Sequence, residues 1–259
     1  MSKKVANIYE KAGDSRLNEE AKRLENLDLP YGVSVEFIGD IPAGTKLLDI
    51  GAGPNTSINK YVKSKSGDYT ALDKKDSFLE SQKLAGANTV KGDIRHLPFD
   101  NDTFDITHTR FVISHLGDDK QQAVREAIRV TKSGGRAIFM DYDWTTAHGS
   151  VTFEKVKDFM INGGFLFDAD FGAELEDSVR SSGAFGEIAS SNHEATPMTD
   201  YSQILKLREA GSTDLEDQGQ AEAAKEWNEI LDEFQKEAES QDPPDFYFPG
   251  IKVVVLTKD

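Results

Sequence analysis

The chain contains no cysteine. That absence excludes disulfide scaffolds, thiol catalysis and cysteine-ligated metal sites together. No apolar run approaches the ~20 residues needed to cross a bilayer, so no membrane span is expected. The opening stretch, MSKKVANIYEKAGDSRLNEEAKRL, is polar and charged, without a signal-peptide hydrophobic segment, and the expected location is cytoplasmic. Basic residues are scarce, with 30 Lys and Arg against 46 Asp and Glu and a formal net charge of −16. Residues 168–245 hold 21 acids and 5 bases, while the remainder balances at 25 of each. All the excess negative charge therefore sits in one C-terminal stretch. A nucleic-acid binder needs a cationic face, so nucleic acid is not expected as a partner. What is present is 37% hydrophobic and 29% charged residues over 259 positions, the composition of a globular chain with a sizeable core.

From residue 46 the pattern alternates strand, loop and helix. Lys46–Ile50 reads as a buried strand and Asn55–Lys63 as a helix. Tyr69–Asp73 is the next strand, Ser77–Leu84 the next helix, and Thr89–Lys91 is short and extended. Phe104–Thr109 is a fourth strand, Asp118–Thr131 an amphipathic helix ended by Gly134-Gly135, and Arg136–Asp141 a fifth strand. Such alternation predicts an α/β fold of parallel βαβ units with helices on both faces. Before it, residues 5–27 read as helix, and Tyr31–Ile38 stays open between helix and strand. After it come helices at Thr152–Asn162 and Ala173–Ser182, an extended segment at Glu187–Ala195, and acid-rich helices at Asp200–Ala210 and Glu216–Ser240. The β-branched run Ile251–Thr257 closes the chain as a strand near the sheet centre or its protected edge. The expected organisation is an N-terminal helical lid over 1–44, then one domain over 45–259 with a helical cap inserted at 199–243.

In a doubly wound sheet, ligands bind beyond the carboxyl ends of the strands, beside the first. Asp49-Ile-Gly-Ala-Gly-Pro54 occupies that place. Gly51 and Gly53 permit a tight turn and close backbone approach to a ligand, and the helix that follows aims its positive end there. A dinucleotide fingerprint would want a third glycine where Thr56 stands, which argues against a nicotinamide cofactor. Alone, a Gly-x-Gly after a strand is as commonly a plain turn. Here Asp73 ends the second strand, where an acid can accept both hydroxyls of a ribose. Asp93, in Gly92-Asp93-Ile94 after the third, stands where it can accept from an adenine amino group.

The blocks LLDIGAGPN, ALDKKD, KGDIRHLPFDNDTFDITHTRFVISHL and RVTKSGGRAIFMDYDW, in that order and spacing, resemble the class I S-adenosylmethionine-dependent methyltransferases. Within that family the resemblance is to the small-molecule group of ubiquinone/menaquinone-biosynthesis enzymes, over roughly residues 45–144. It implies a Rossmann-like seven-stranded sheet, mostly parallel with an antiparallel last strand, and S-adenosyl-L-methionine as cofactor. By position, it implies that Asp49, Gly51 and Gly53 hold the methionine part. Asp73 binds the ribose, with Lys74 beside the adenine. Asp93 and Ile94 contact the adenine edge, while Arg110 and Phe111 line the pocket. Ala52 and Lys74 depart from the family pattern, which has another small residue and an apolar residue there. The N-terminal helix of such enzymes closes over the cofactor, and Arg16 or Arg23 could reach its carboxylate.

Methyl transfer draws much of its rate from positioning, and a general base is needed only when the acceptor must lose a proton. His115, past the fourth strand, is the candidate base, and Asp143 with Asp141, at the end of the fifth, could orient an amine or hydroxyl. Tyr142 and Trp144 offer an aromatic wall. Asp141, Asp143 and His148 lack a diagnostic metal spacing, and no metal is expected. The acidic stretch disfavours anionic substrates, leaving a neutral or cationic small molecule whose O or N atom, less readily C, is methylated. Two other readings stay open: a regulatory protein that binds the same cofactor without catalysis, and a nicotinamide-dependent oxidoreductase.

Overall fold

The computed structural model describes residues 28–163, 168, 171–194, 196–198 and 200–259. The helix expected at 5–27, with Arg16 and Arg23, lies outside the described residues, as does most of the expected lid. Helix α1 (Asp28–Ile38) precedes the sheet and resolves Tyr31–Ile38 as helical. There follow β1 (Lys46–Ile50), α2 (Ser57–Ser64), β2 (Asp68–Asp73), α3 (Asp76–Leu84), β3 (Asn88–Lys91) and β4 (Phe104–Arg110). Next come α4 (Lys120–Val130), β5 (Thr131–Asp143), α5 (Val151–Asn162), α6 (Phe171–Arg180) and β6 (Gly186–His193). A short strand β7 (Thr196–Met198) leads to α7 (Ser202–Leu205), α8 (Leu207–Asp217) and α9 (Ala221–Ala238), and the chain ends on β8 (Phe246–Phe248) and β9 (Gly250–Lys258).

Seven strands form one sheet in the order β3-β2-β1-β4-β5-β9-β6. β1 pairs in parallel with β2 and β4, while β9 runs antiparallel between β5 and β6. The order reverses between β1 and β4, which puts the crevice of a doubly wound sheet at their carboxyl ends. The expected Rossmann-like arrangement, with the C-terminal strand reversed, is the one observed.

Successive side chains leave a strand on opposite faces, so β1 feeds two cores. Leu48 and Ile50 join Phe139, Ala127 and Leu175 under α4 and α6. Leu47 joins Ile38, Ile58, Val62 and Ile138 under α1 and α2. A third apolar cluster lies beyond the sheet, where Trp144, Phe153 and Phe159 meet Trp227, Leu231 and Phe234. Ala224, Trp227, Leu231 and Phe234 recur at helical spacing along α9 and give it one buried face, which packs against α5. The acid-rich helices are thus anchored by an aromatic layer, not merely laid over the domain.

Two details differ from the sequence expectation. The helix before β5 ends at Val130, because Thr131 already adopts an extended conformation as its cap. Gly134-Gly135 lies inside β5 instead of ending that helix. There the register against β4 jumps from Phe104↔Thr131 to Ile106↔Arg136, Gly134 takes φ +75°, and a Cβ on Gly135 would meet Asp105 O at 2.8 Å. The second detail is the β7–β8 ribbon, which pairs Thr196–Met198 with Phe246–Phe248 and has no counterpart in the expected pattern.

Candidate active site

The turn after β1 is shaped by its neighbours. The N–H groups of Gly51 and Ala52 both donate to Leu72 O, at 2.8 and 3.0 Å. Gly51 sits at φ +69°, and a Cβ there would come within 2.4 Å of Val112 Cγ2, so only glycine fits. Gly53 sits at φ +60°, but a Cβ there would meet nothing within 4 Å. One glycine serves packing, whereas the other leaves clear space beside the loop.

Asp73 closes this turn from the end of β2. Its Oδ2 accepts the Gly53 N–H at 3.0 Å and its Oδ1 the Lys75 N–H at 3.0 Å. Burial pushes the Asp73 carboxyl above its ordinary value against the pull of these backbone donors. The Lys74 N–H adds to these donors, and a carboxylate with about four lone-pair sites keeps acceptor capacity beyond the three.

Asp49 does not reach toward this opening. It is 2% exposed, and its Oδ1 lies 2.8 Å from His108 Nδ1 while its Oδ2 accepts from Tyr69 OH at 2.7 Å. His108 Nε2 in turn lies 3.1 Å from Ser34 Oγ of α1, and Ser34 Oγ donates to Met140 Sδ at 3.3 Å. Burial opposes ionisation of Asp49, but His108, with the Arg110 charge and Tyr69, holds its carboxyl below the usual range. The sequence placed Asp49 on the ligand; its side chain is instead the centre of a buried polar network tying β1 to β4 and α1.

Asp93 is likewise taken. Its oxygens accept Arg95 N–H at 2.9 Å, Arg95 Nε at 3.0 Å and Arg95 Nη2 at 2.6 Å, and Lys74 Nζ lies 2.9 Å away. Against a burial penalty, these two cations hold the carboxyl well below its ordinary range. Lys74 therefore turns to Asp93, and Arg95, which the sequence reading passed over, is the group that fixes this corner. Ile94 is 4% exposed and packs among Leu72 and Leu97, so its side chain belongs to the core.

At the end of β4, Arg110 Nη1 lies 3.5 Å from Ser34 Oγ. Phe111 adopts φ +55°, a strained conformation for a bulky residue, and its ring stacks on Tyr142 at 3.9 Å and 6°. Phe248 meets the Tyr142 ring edge-on at 5.6 Å and Trp144 at 5.7 Å, extending an aromatic wall from the sheet to the β7–β8 ribbon. His115 ends a short 3-10 turn, Ile113–His115, and is half-buried. That turn is anchored by Asp141, whose Oδ2 accepts Ser114 N–H at 3.2 Å. Burial pushes the Asp141 carboxyl up to about 7, with Ser114 and Lys120 pulling the other way.

Asp143, the other acid of that strand end, has a local task. Its Oδ1 accepts the Thr145 N–H at 3.0 Å and the Thr145 hydroxyl, capping the 3-10 turn Trp144–Thr146. The geometry gives Asp143 a turn to cap through Oδ1 and brings Asp141 beside the His115 turn. His148 stacks on Tyr247 at 4.2 Å. Among the described residues, no group of three or more His, Asp or Glu side chains could hold a metal ion. An open groove of about 510 Å³ runs between α4 and α6 past Lys120, Gln121, Phe171 and Asp177, and shares no lining residue with the glycine loop.

With this geometry in view, comparison with known proteins is informative. Residues 48–139 match the family described as Methyltransferase domain. A sarcosine/dimethylglycine N-methyltransferase of Aphanothece halophytica is 34% identical over 126 residues, covering 43% of this chain and 45% of that protein. A demethylmenaquinone methyltransferase of Renibacterium salmoninarum is 30% identical over 114 residues, covering 43% and 47%. The chain thus spans about half the length of these curated relatives. The solved structure of YcgJ from Bacillus subtilis superimposes with a TM-score of 0.60 at 20% identity, covering 89% of this chain and 98% of that one. Residues 48–139 are thus similar to methyltransferase domains, and the sheet has the Rossmann-like class I fold of YcgJ. It resembles the ubiquinone/menaquinone-biosynthesis enzymes in sequence. No helix among the described residues is long and apolar enough to cross a membrane.

Proposed function

We propose that this protein is an S-adenosyl-L-methionine-dependent methyltransferase that methylates an O or N atom of a neutral or cationic small molecule. The observation that carries the reading is the clear space at Gly53 beside Asp73, whose carboxylate grips the same turn and keeps acceptor capacity. The residues present fit such a cofactor, because a ligand can approach the loop backbone where Gly53 has no Cβ. The methyltransferase family match and the curated methyltransferase relatives support the same reading.

When bound, this cofactor supplies an electrophilic methyl group on a sulfonium, open to in-line displacement. The loop at Gly51, Ala52 and Gly53 would let its amino-acid end approach closely, and Asp73 would accept the ribose hydroxyls. Asp93, fixed by Arg95 and Lys74, borders the adenine place with a carboxylate whose acceptor capacity is already drawn upon. Phe111 and Tyr142 exclude water from the strand ends, which favours loss of charge from a sulfonium. His115 accepts a proton from a hydroxyl or ammonium acceptor, while Asp141 holds its turn through Ser114. The acidic residues of 168–245 set a field that disfavours anionic acceptors.

Incubation with methyl-labelled cofactor and a panel of phenols, alcohols and amines tests the reading. Label transfer to a hydroxyl or amine is expected. Tight binding without transfer to any member would favour the alternative, a cofactor-binding regulator.

A further inference from the structure

We propose that Gln82 is a positioning residue for the glycine loop, holding residues 53–55 in the shape that receives the cofactor. Gln82 lies on α3, directly behind the loop, and is fully buried at 0% exposure. Its Nε2 donates to Gly53 O at 3.0 Å and to Asn55 O at 2.7 Å. Both partners are carbonyls, so the amide can face them only with its two N–H groups. Its Oε1 is thereby turned into the interior, where it finds no hydrogen-bond partner among the described residues.

That arrangement is costly for the core. A buried acceptor without a protein partner is destabilising. A local rule broken beside a candidate site marks a residue retained for the site. What the amide secures is the Gly53 peptide unit. Asp73 Oδ2 pins its N–H from β2, and Gln82 pins the Gly53 carbonyl from α3. Glycine has little conformational preference of its own, so bonds on both sides select the φ +60° geometry. The second carbonyl belongs to Asn55, whose side-chain Oδ1 accepts Ser57 N–H at 2.8 Å and starts α2. One buried amide thus sets both the loop and the entry of the helix that follows it. Asn59 of α2 repeats the device next door, donating to Ala85 O at 3.3 Å with its own Oδ1 buried and without a partner among the described residues.

The inference rests on the proposed function only for the identity of the ligand; the clamp itself is independent of it. The test is Gln82→Met, which keeps the length and removes the donors, alongside Gln82→Asn, which keeps an amide one methylene too short to reach both carbonyls. Two readouts are taken on each: amide hydrogen exchange at Gly53 and Ser57, and calorimetric affinity for S-adenosylhomocysteine. Gln82→Met removes one orphaned acceptor but leaves the Gly53 and Asn55 carbonyls without their donor, and is expected to fold with a modestly lower melting temperature. In both variants, exchange at Gly53 and Ser57 quickens and affinity falls by about tenfold, the factor that corresponds to ~1.4 kcal/mol. Wild-type affinity or unchanged exchange at Gly53 in folded Gln82→Met would overturn the proposal. Failure of both variants to fold would overturn it too, since Gln82 would then serve the core. If the wild type itself did not bind S-adenosylhomocysteine, the proposed function would fail, and the exchange data alone would decide the role of Gln82.

Discussion

Asp49 and His108 stand opposite each other in the register of β1 and β4 and meet at 2.8 Å, both out of contact with solvent. Asp49 stands two residues before Gly51, and the pair reaches α1 through Ser34. It makes the base of the site a polar network inside an apolar sheet. Such networks are strongly destabilised when one member is removed, because a charge is left buried and unpaired.

His108→Leu is therefore expected to cost ~3–5 kcal/mol in denaturant unfolding. Asp49→Asn, which removes the charge and keeps an acceptor, costs less. Because the folded Asp49 carboxyl lies below its ordinary 3.8, its contribution is present above that value and is lost as pH falls through the folded pKa. Asp49→Asn accordingly flattens the acid limb of a stability-versus-pH curve. Equal stability losses in the two variants would show that the pair carries no special energy.

Asp141 titrates with the opposite sign. Its folded carboxyl is pushed up to about 7 from an ordinary 3.8, so its favourable contribution is complete below the lower value and is lost as pH rises through about 7. The wild type is expected to lose melting temperature between pH 5 and pH 8, and Asp141→Asn to lose distinctly less, as read by calorimetric scans across roughly that window. Parallel curves for the two proteins would contradict the assignment.

Asp73→Ala removes the acceptor from the ribose place and frees the Gly53 N–H. Loss of charge-assisted hydrogen bonds worth ~1.5–3 kcal/mol predicts a roughly ten- to hundredfold weaker cofactor affinity by calorimetry. Unchanged affinity in the folded variant would remove Asp73 from the site.

His115→Ala separates chemistry from binding. A general base contributes about 10²–10⁴-fold, so turnover is expected to fall by that order with cofactor affinity preserved. Unaltered turnover would leave positioning as the mechanism.

The sequence revealed most where local pattern and fold coincide. Lys46–Ile50 is a strand with the expected ends, and the reversed C-terminal strand lies where the β-branched run put it. It was silent where side chains far apart in the chain meet. Asp49 and His108 are 59 positions apart, and only the β1–β4 register makes them partners, although a histidine in the middle of an expected strand was a signal. Arg95 was nearer to legible: it stands two residues from Asp93 and closes back on it, but a short loop does not announce which way its side chains turn. Gly134-Gly135 misled because a glycine pair marks a helix end and a strand irregularity equally well. The polar tasks of Asp143 and Gln82 depend on turns and helix seams that spacing alone does not fix.

The central claim is that the turn gripped by Asp73 receives S-adenosyl-L-methionine. Isothermal titration of the purified protein with S-adenosyl-L-methionine, its demethylated product and NADH, side by side, tests it most directly. The account predicts that the first two bind and NADH does not. Binding of NADH alone would contradict it, and the methyltransferase reading of the site with it.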